Sequence, residues 1–163
     1  MEKTILELPE IKLVGIAVRT DNAGELNPDT AKIERTMQKF FGENLQNKII
    51  NRKTPGRVYA TYNSYESDEG GKFSYFIGEE VTNFDESLTD LEMLTVQPQT
   101  YVKFTSTLGS IPNIVIDLWH KIWALDVADY GGKRAYIADF EIYDERAQDT
   151  KNAVVDIYIG IKQ

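Results

Sequence analysis

The stretch Ile11-Lys-Leu-Val-Gly-Ile-Ala-Val-Arg19 is dense in leucine, valine and isoleucine, which is typical of a β-strand. A polar loop follows, and then apolar residues recur at helical spacing and predict an amphipathic helix that begins near Pro28. Two further strands joined by a glycine-containing hairpin come next. In chain order these elements are strand Ile11–Arg19, loop Thr20–Asn27, a helix carrying Ile33, Met37, Phe40 and Phe41, strand Val58–Tyr62, hairpin Asp68–Gly71 and strand Phe73–Ile77.

The same order of elements recurs after an acidic segment, Thr82–Pro98, which we expect to be a loop and a linker. Little residue identity relates the two halves, so the repeat is one of element order. We therefore expect an α+β fold of duplicated strand–helix–strand–strand units, with mainly antiparallel strands, helices on one face and a cleft between the halves. The second unit comprises strand Tyr101–Thr105, helix Ile111–Leu125 and strands Arg134–Tyr143 and Ala153–Lys162. The expected organisation is one domain over residues 1–163, with a first repeat at 8–81, the linker at 82–98 and a second repeat at 99–163.

Composition excludes several classes of function. The net charge is -8, so the surface repels phosphate backbones and we expect no direct binding of nucleic acid. There is no cysteine and only one histidine, which argues against thiolate or histidine metal sites, and we expect no metal and no cofactor. The sequence shows no signal peptide and no apolar run of membrane length, so a cytoplasmic protein without a membrane partner is expected.

The second predicted helix carries both tryptophans of the chain. Trp119 and Trp123 are four residues apart and therefore neighbours along the helix, beside an apolar stripe. Either both indoles pack in the core, or at least one lines a pocket where it can stack on a planar or cationic ligand. His120 points away from the stripe and is expected at the surface.

Acidic residues lie within the strand-like stretch Ala138-Asp-Phe-Glu-Ile-Tyr143. Strand alternation places Glu141 and Tyr143 on one side, opposite Phe140 and Ile142. If the first side is open to water, Glu141 is an ordinary surface residue. If it lines the cleft, Glu141 is a desolvated carboxylate that needs a cation, hydrogen bonds or a raised pKa.

The chain has nine tyrosines, and several fall on predicted strands. Aromatic surfaces around one carboxylate suit an organic cation, because quadrupole and Coulomb attraction then add. Tyrosine is also simply a good strand residue. The strand tyrosines are Tyr59, Tyr62, Tyr75, Tyr101, Tyr143 and Tyr158.

Five segments, taken in order, resemble successive motifs of the gyrase-inhibitor-like, AraC-type effector-binding domains. Each motif is weak alone, but together they cover the chain from about Leu8 to Lys162 at compatible spacing. The segments are Leu13–Thr20, Val58–Tyr62, Phe73–Gly78, Phe140–Tyr143 and Asp156–Ile159.

The resemblance implies a duplicated fold with pseudo-twofold symmetry and a pocket between the halves for hydrophobic, aromatic and often cationic compounds. The family's pocket glutamate maps onto Glu141, and a tryptophan of the second helix matches Trp119 or Trp123. The chain departs from the family at Thr36-Met37-Gln38, where a tryptophan is common, and at Gly160, which replaces a proline-containing motif. It resembles the free-standing members, including modules encoded on mobile integron gene cassettes.

The leading hypothesis is non-catalytic binding of a small amphipathic cation. Glu141 would supply the negative charge, and the aromatic candidates are Trp119, Trp123, Tyr75, Tyr143, Tyr59 and Tyr101. One alternative is a small hydrolase that uses Glu141 as general base, as some relatives do. Another is a protein-interaction module of the gyrase-inhibitor type, which would need an exposed apolar patch. Whether the chain forms a homodimer stays open.

Overall fold

The computed structural model describes residues 2–85 and 90–163. Eight strands and four α-helices occur in these two ranges, together with two short 3-10 turns. The strands are β1 (Glu2–Leu8), β2 (Ile11–Asp21), β3 (Val58–Asn63), β4 (Lys72–Glu80), β5 (Glu92–Val96), β6 (Gln99–Thr105), β7 (Lys133–Tyr143) and β8 (Asp156–Lys162). The helices are α1 (Asn22–Glu25), α2 (Ile33–Gly42), α3 (Asn113–Trp123) and α4 (Val127–Tyr130).

All eight strands form one antiparallel sheet in the order β1-β6-β8-β7-β3-β4-β2-β5. This order is symmetric about the β7–β3 pair, where the two halves meet and Ala60 lies opposite Glu141. The prediction of a duplicated α+β fold with mainly antiparallel strands is therefore confirmed. Each half supplies one strand to the central pair, so residues on β3 and β7 can share one site.

Each unit begins with a strand that the sequence analysis did not assign. β1 pairs with β6 of the second half, and β5 pairs with β2 of the first half, so the halves exchange their leading strands. β5 lies inside the segment Thr82–Pro98 that was expected to be a loop; residues 86–89 of that segment lie outside the described residues. Edge strands bury little surface, and only Val96 of β5 is fully buried, so the apolar alternation that marks inner strands is missing.

Helix α2 begins at Ile33, five residues later than Pro28 had indicated. Its first backbone N–H groups are bonded by a carboxylate from α1: Glu25 accepts from the N–H of Lys32 at 2.9 Å and of Ile33 at 3.0 Å. Pro28 lies in the turn between the two helices. The helix start is thus set by a side chain seven to eight residues earlier in the chain, and the cap residue Lys32 makes no side-chain capping bond.

Strand alternation divides the buried side chains into two layers. The layer that faces α2 and α3 contains Tyr75 and Ile77 of β4, among others. The opposite layer comes from strands alone, and its buried aromatic members are Tyr59, Phe76, Tyr101, Phe140 and Tyr158. A tyrosine on a strand therefore reaches the helix side only if its position in the strand has the right parity.

Candidate ligand-binding site

A cavity of about 600 Å³ lies on the helix side of the sheet and receives side chains from both halves. The lining is largely apolar and aromatic, with a few polar groups, as is usual for small-molecule sites. The lining includes Met37 and Gln38 of α2, Trp119 and Trp123 of α3, Tyr62 of β3, and Glu141 and Tyr143 of β7. The cavity thus occupies the cleft that the duplication creates.

Glu141 is a carboxylate in this lining that is only 2% exposed. Its Oε2 accepts hydrogen bonds from the hydroxyl of Tyr62 and the indole Nε1–H of Trp119, both at 2.7 Å. Its Oε1 accepts from the hydroxyl of Tyr143 at 2.6 Å. All three donors are uncharged aromatic groups, and no salt bridge to Glu141 is formed within residues 2–85 and 90–163.

Two opposing effects set the pKa of Glu141. Burial is the larger effect and raises the pKa above the ordinary glutamate value, because the charged form loses its hydration. The hydrogen bonds from Tyr143, Trp119 and Tyr62 lower the pKa, but only in part. Burial therefore outweighs the three hydrogen bonds, and no positively charged side chain of the described residues pairs with the carboxylate to compensate it.

The phenols beside Glu141 are fixed as donors. Burial raises the pKa of Tyr62 and Tyr143 well above 10, and the negative charge of Glu141 raises both further. Both hydroxyls therefore remain protonated at neutral pH and donate hydrogen bonds to Glu141.

An aromatic wall stands over the carboxylate. The rings of Trp119 and Tyr62 meet edge to face with centroids 5.4 Å apart, and the Trp119 and Trp123 centroids are 5.8 Å apart. Trp119 is partly buried, whereas Trp123 is 51% exposed and stands nearer to solvent. Sequence could not choose between the two indoles; both line the cavity, and Trp119 is the one bonded to Glu141.

The remaining predicted aromatic residues lie elsewhere. Tyr75 is fully buried behind Tyr62, with centroids 5.5 Å apart, and its hydroxyl has no hydrogen-bond partner in the described structure. Tyr59 and Tyr101 point to the opposite face of the sheet, where each packs against Phe140. The structure does not bring these two residues to the cavity, because their positions in β3 and β6 have the other parity.

His120 is exposed, as expected for a surface residue, and lies at the cavity margin with its ring 5.7 Å from Trp123. Tyr62 is a site residue that the sequence analysis did not select. It lies three positions after Tyr59 and so has the opposite parity, but only the β3–β7 pairing shows that this face meets Glu141. Met37 and Gln38 line the cavity at the segment where the family resemblance had indicated a missing tryptophan.

Charge around the cavity is mostly negative. Besides Glu141, the lining includes Glu25, Glu34 and Glu69. The basic residue Arg134 is in the lining too, but it is paired with Asp139 at 2.7 Å. Acidic side chains therefore outnumber basic ones among the charged residues of the lining.

Two duplicated halves that exchange their leading strands and enclose a cavity between them form the architecture of an effector-binding module. The chain belongs to the integron-associated effector binding protein family, Cass2, whose family model matches residues 4–161. No helix in the described residues is long and apolar enough to cross a membrane.

Known proteins resemble this chain over nearly its whole length. The structure of the integron cassette protein VCH_CASS2, from the mobile metagenome of Vibrio cholerae, is 33% identical, with a TM-score of 0.77 over 98% of this chain and 95% of that one. The structure of SAV2435 bound to tetraphenylphosphonium is 19% identical, with a TM-score of 0.78 over 99% and 94% of the two chains. YobU of Bacillus subtilis (strain 168), whose name suggests a transcriptional regulator, is 27% identical over 93% of this chain and 92% of its own.

Proposed function

We propose that this protein binds amphipathic organic cations in the cavity between its halves, with Glu141 as the negative partner. The observation that carries the proposal is a carboxylate that is 2% exposed and that has three uncharged donors and no salt bridge among the described residues. Such a group has an unfavourable desolvation energy in the free protein. A ligand cation would offset that energy where Coulomb attraction is weakly screened.

The aromatic wall adds a second attraction for the same kind of ligand. The rings of Trp119, Trp123 and Tyr62 line the cavity, and aromatic rings attract a cation through their negative quadrupole density and pack against its apolar body. A delocalised cation that carries aromatic rings uses both. The cavity of about 600 Å³ accommodates a molecule of drug size.

The comparisons support this class of ligand. The family is named for effector binding, and the structure of SAV2435, which has the same fold, is of that protein bound to tetraphenylphosphonium, an aromatic cation. The geometry at Glu141 also favours binding over hydrolysis. Both carboxylate oxygens already accept hydrogen bonds from Tyr62, Trp119 and Tyr143, an arrangement suited to orienting an anion rather than to accepting a proton from water.

Two ions of nearly equal size and opposite charge test the proposal. Tetraphenylphosphonium and tetraphenylborate are titrated into the protein and followed by tryptophan fluorescence and calorimetry. We expect the cation to bind and the anion to bind at least about tenfold more weakly, which corresponds to about 1.4 kcal/mol. Equal affinities for the two ions would contradict the proposal.

Variants assign the charge selectivity to one residue. Glu141→Gln keeps the shape of the side chain and should weaken tetraphenylphosphonium binding about 30-fold or more, as expected when one partner of a buried charge pair is neutralised at a cost of about 2 kcal/mol. Glu145→Gln is the matched control, because it removes the same charge from an exposed position outside the cavity lining. If both variants bind the cation equally well, Glu141 is not the negative partner.

A further inference from the structure

A second polar group of side chains shares the cavity with Glu141. Four of its members line the cavity, and the fifth, Asp139, is fully buried behind them. We refer to the set as the Arg134 cluster: Tyr65, Glu69, Arg134, Tyr136 and Asp139. None of these residues contacts Glu141 by a hydrogen bond, so the cluster is a separate feature of the same cavity.

The backbone is built to present this cluster. Between Arg134 and Asp139 the pairing of β7 with β8 slips, since Arg134 faces Ile161 and Asp139 faces Ile159. Five residue steps on β7 thus oppose two on β8, which leaves three extra residues in a bulge. Within it Tyr136 has a φ of 51°, a left-handed conformation that a tyrosine rarely adopts. Bulges and strained residues of this kind cluster at binding sites, where they redirect side chains.

The guanidinium of Arg134 is fixed on two sides. Its Nη2 donates to Asp139 at 2.7 Å, and its Cζ lies 4.4 Å from the ring centroid of Tyr136. Asp139 is held in turn by the hydroxyl of Tyr65 and by the backbone N–H of Gly160 at 2.8 Å. Such a guanidinium is preorganised, and little side-chain entropy is lost when it bonds a ligand.

Arg134 keeps donors that no described residue uses. A guanidinium has five N–H groups, and the bond to Asp139 through Nη2 is its hydrogen bond within the described structure. Its Nε is buried without an acceptor, and Nη1 has none either. Nε is enclosed by protein, but Nη1 is not, and the side chain is 11% exposed and belongs to the cavity lining, so a bound molecule can reach the Nη1 donors.

Charge decides what kind of acceptor fits. Asp139 neutralises Arg134, and Glu69, which accepts from the hydroxyl of Tyr136 at 2.6 Å, adds a negative charge beside them. A ligand carboxylate would be repelled by Glu69 and Glu141, whereas a neutral carbonyl oxygen is not. Asp139, which holds the guanidinium, and Glu141 are two residues apart on one strand face, so their Cα atoms are roughly 7 Å apart. Arg134 and Glu141 both line the same cavity, which is large enough for one drug-sized molecule to contact both.

We propose that Arg134 is a specificity-determining residue that donates hydrogen bonds to a neutral acceptor oxygen, such as an ester or amide carbonyl, on the same ligand whose cation contacts Glu141. This inference rests on the proposed function of the cavity and narrows its ligand class. The preferred ligand is an aromatic cation that carries a carbonyl group beside its charged ring system.

Two dyes that differ in a single group provide the test. Rhodamine 123 is a cationic xanthene with a methyl ester on its phenyl ring; the matched probe is the rosamine in which an ortho-propyl group replaces that ester. Both have the same charge and nearly the same size. We expect the wild-type protein to bind rhodamine 123 about tenfold more tightly, the effect of one hydrogen bond to a charged donor. Affinities are measured by fluorescence anisotropy.

Arg134→Lys tests the fixed guanidinium fork, because lysine retains the charge that Asp139 needs but has all its N–H donors on one atom, which is drawn to Asp139. This variant should lose most of the preference for rhodamine 123 over the propyl probe. Glu141→Gln should weaken both dyes by the same factor and keep the tenfold ratio. Equal affinity of the wild-type protein for the two dyes would overturn the proposed role of Arg134, and this result does not depend on whether the variant folds. A tenfold preference for rhodamine 123 that survives in Arg134→Lys would overturn that role as well. Failure of the wild-type protein to bind either dye would instead contradict the proposed function.

Discussion

At the scale of single residues, Glu141 carries a conflict between function and stability. Three aromatic donors orient it, yet burial still raises its pKa, so the free protein does not fully stabilise the charged form of this side chain. Residues selected for binding a ligand commonly have this property. The conflict predicts how stability responds to a neutral replacement.

We expect Glu141→Gln to stabilise the ligand-free protein at pH 7 by about 1 kcal/mol. Because the folded-state pKa is raised, the folded protein binds a proton more readily than the unfolded chain. The contribution of Glu141 to stability is therefore complete below the unfolded pKa of about 4.3 and is lost as pH rises through the raised value. Glutamine does not titrate, so its advantage should grow from acidic to neutral pH. Urea unfolding at several pH values measures it.

Glu145→Gln again provides the comparison, since this exposed glutamate should give a stability difference near zero at every pH. An advantage of Glu141→Gln that did not change with pH would show that the gain comes from packing rather than from the buried charge. A loss of stability at pH 7 would show that the three donors compensate the charge completely.

At the scale of elements, α2 depends on a carboxylate outside the helix. Glu25 bonds the N–H groups of Lys32 and Ile33 and also accepts from the Thr20 hydroxyl at 2.6 Å. It therefore ties the end of β2 to the start of α2. Since Met37 and Gln38 of α2 line the cavity, Glu25 also positions one cavity wall.

We predict that Glu25→Ala destabilises the protein by about 1–2 kcal/mol, the usual effect of losing a helix cap. The backbone amides of Lys32 and Ile33 should exchange with solvent faster, because they lose their acceptor. Hydrogen exchange and urea unfolding measure the two effects. Glu34→Ala is the control. This substitution removes the same charge from the first turn of α2, but the Glu34 side chain bonds no backbone N–H among the described residues. Equal effects of both variants would assign the stabilisation to the helix dipole instead.

The elements that bury an apolar face were predictable from sequence, and those set by distant partners were not. Strands β2, β3, β4, β6, β7 and β8 and helix α3 were recognised from their apolar patterns. The start of α2 could not be recognised because Glu25 lies eight residues away from Ile33. For the site, alternation correctly placed Glu141 and Tyr143 on one face, but the hydrogen bond from Tyr62 depends on a pairing 79 residues apart in sequence.

At the scale of the whole molecule, the exchange of leading strands joins the two halves. β1 closes the second half beside β6, and β5 closes the first half beside β2, while β3 and β7 pair at the centre. Neither half keeps a complete set of strands when the other unfolds. The cavity, which takes residues from both halves, therefore depends on their folding together.

We expect the chain to unfold in one cooperative transition, and tryptophan fluorescence can test this because both tryptophans lie in α3 of the second half. Far-UV circular dichroism follows the whole chain. Glu25→Ala lies in the first half, yet it should lower the urea midpoint of both signals equally, by about 0.5–1 M for a slope of about 2 kcal/mol/M. Asp126→Ala, which removes the cap of α4 in the second half, should likewise move both signals together. If Glu25→Ala shifts the circular dichroism transition and leaves tryptophan fluorescence unchanged, the halves unfold independently and the exchanged strands do not couple them.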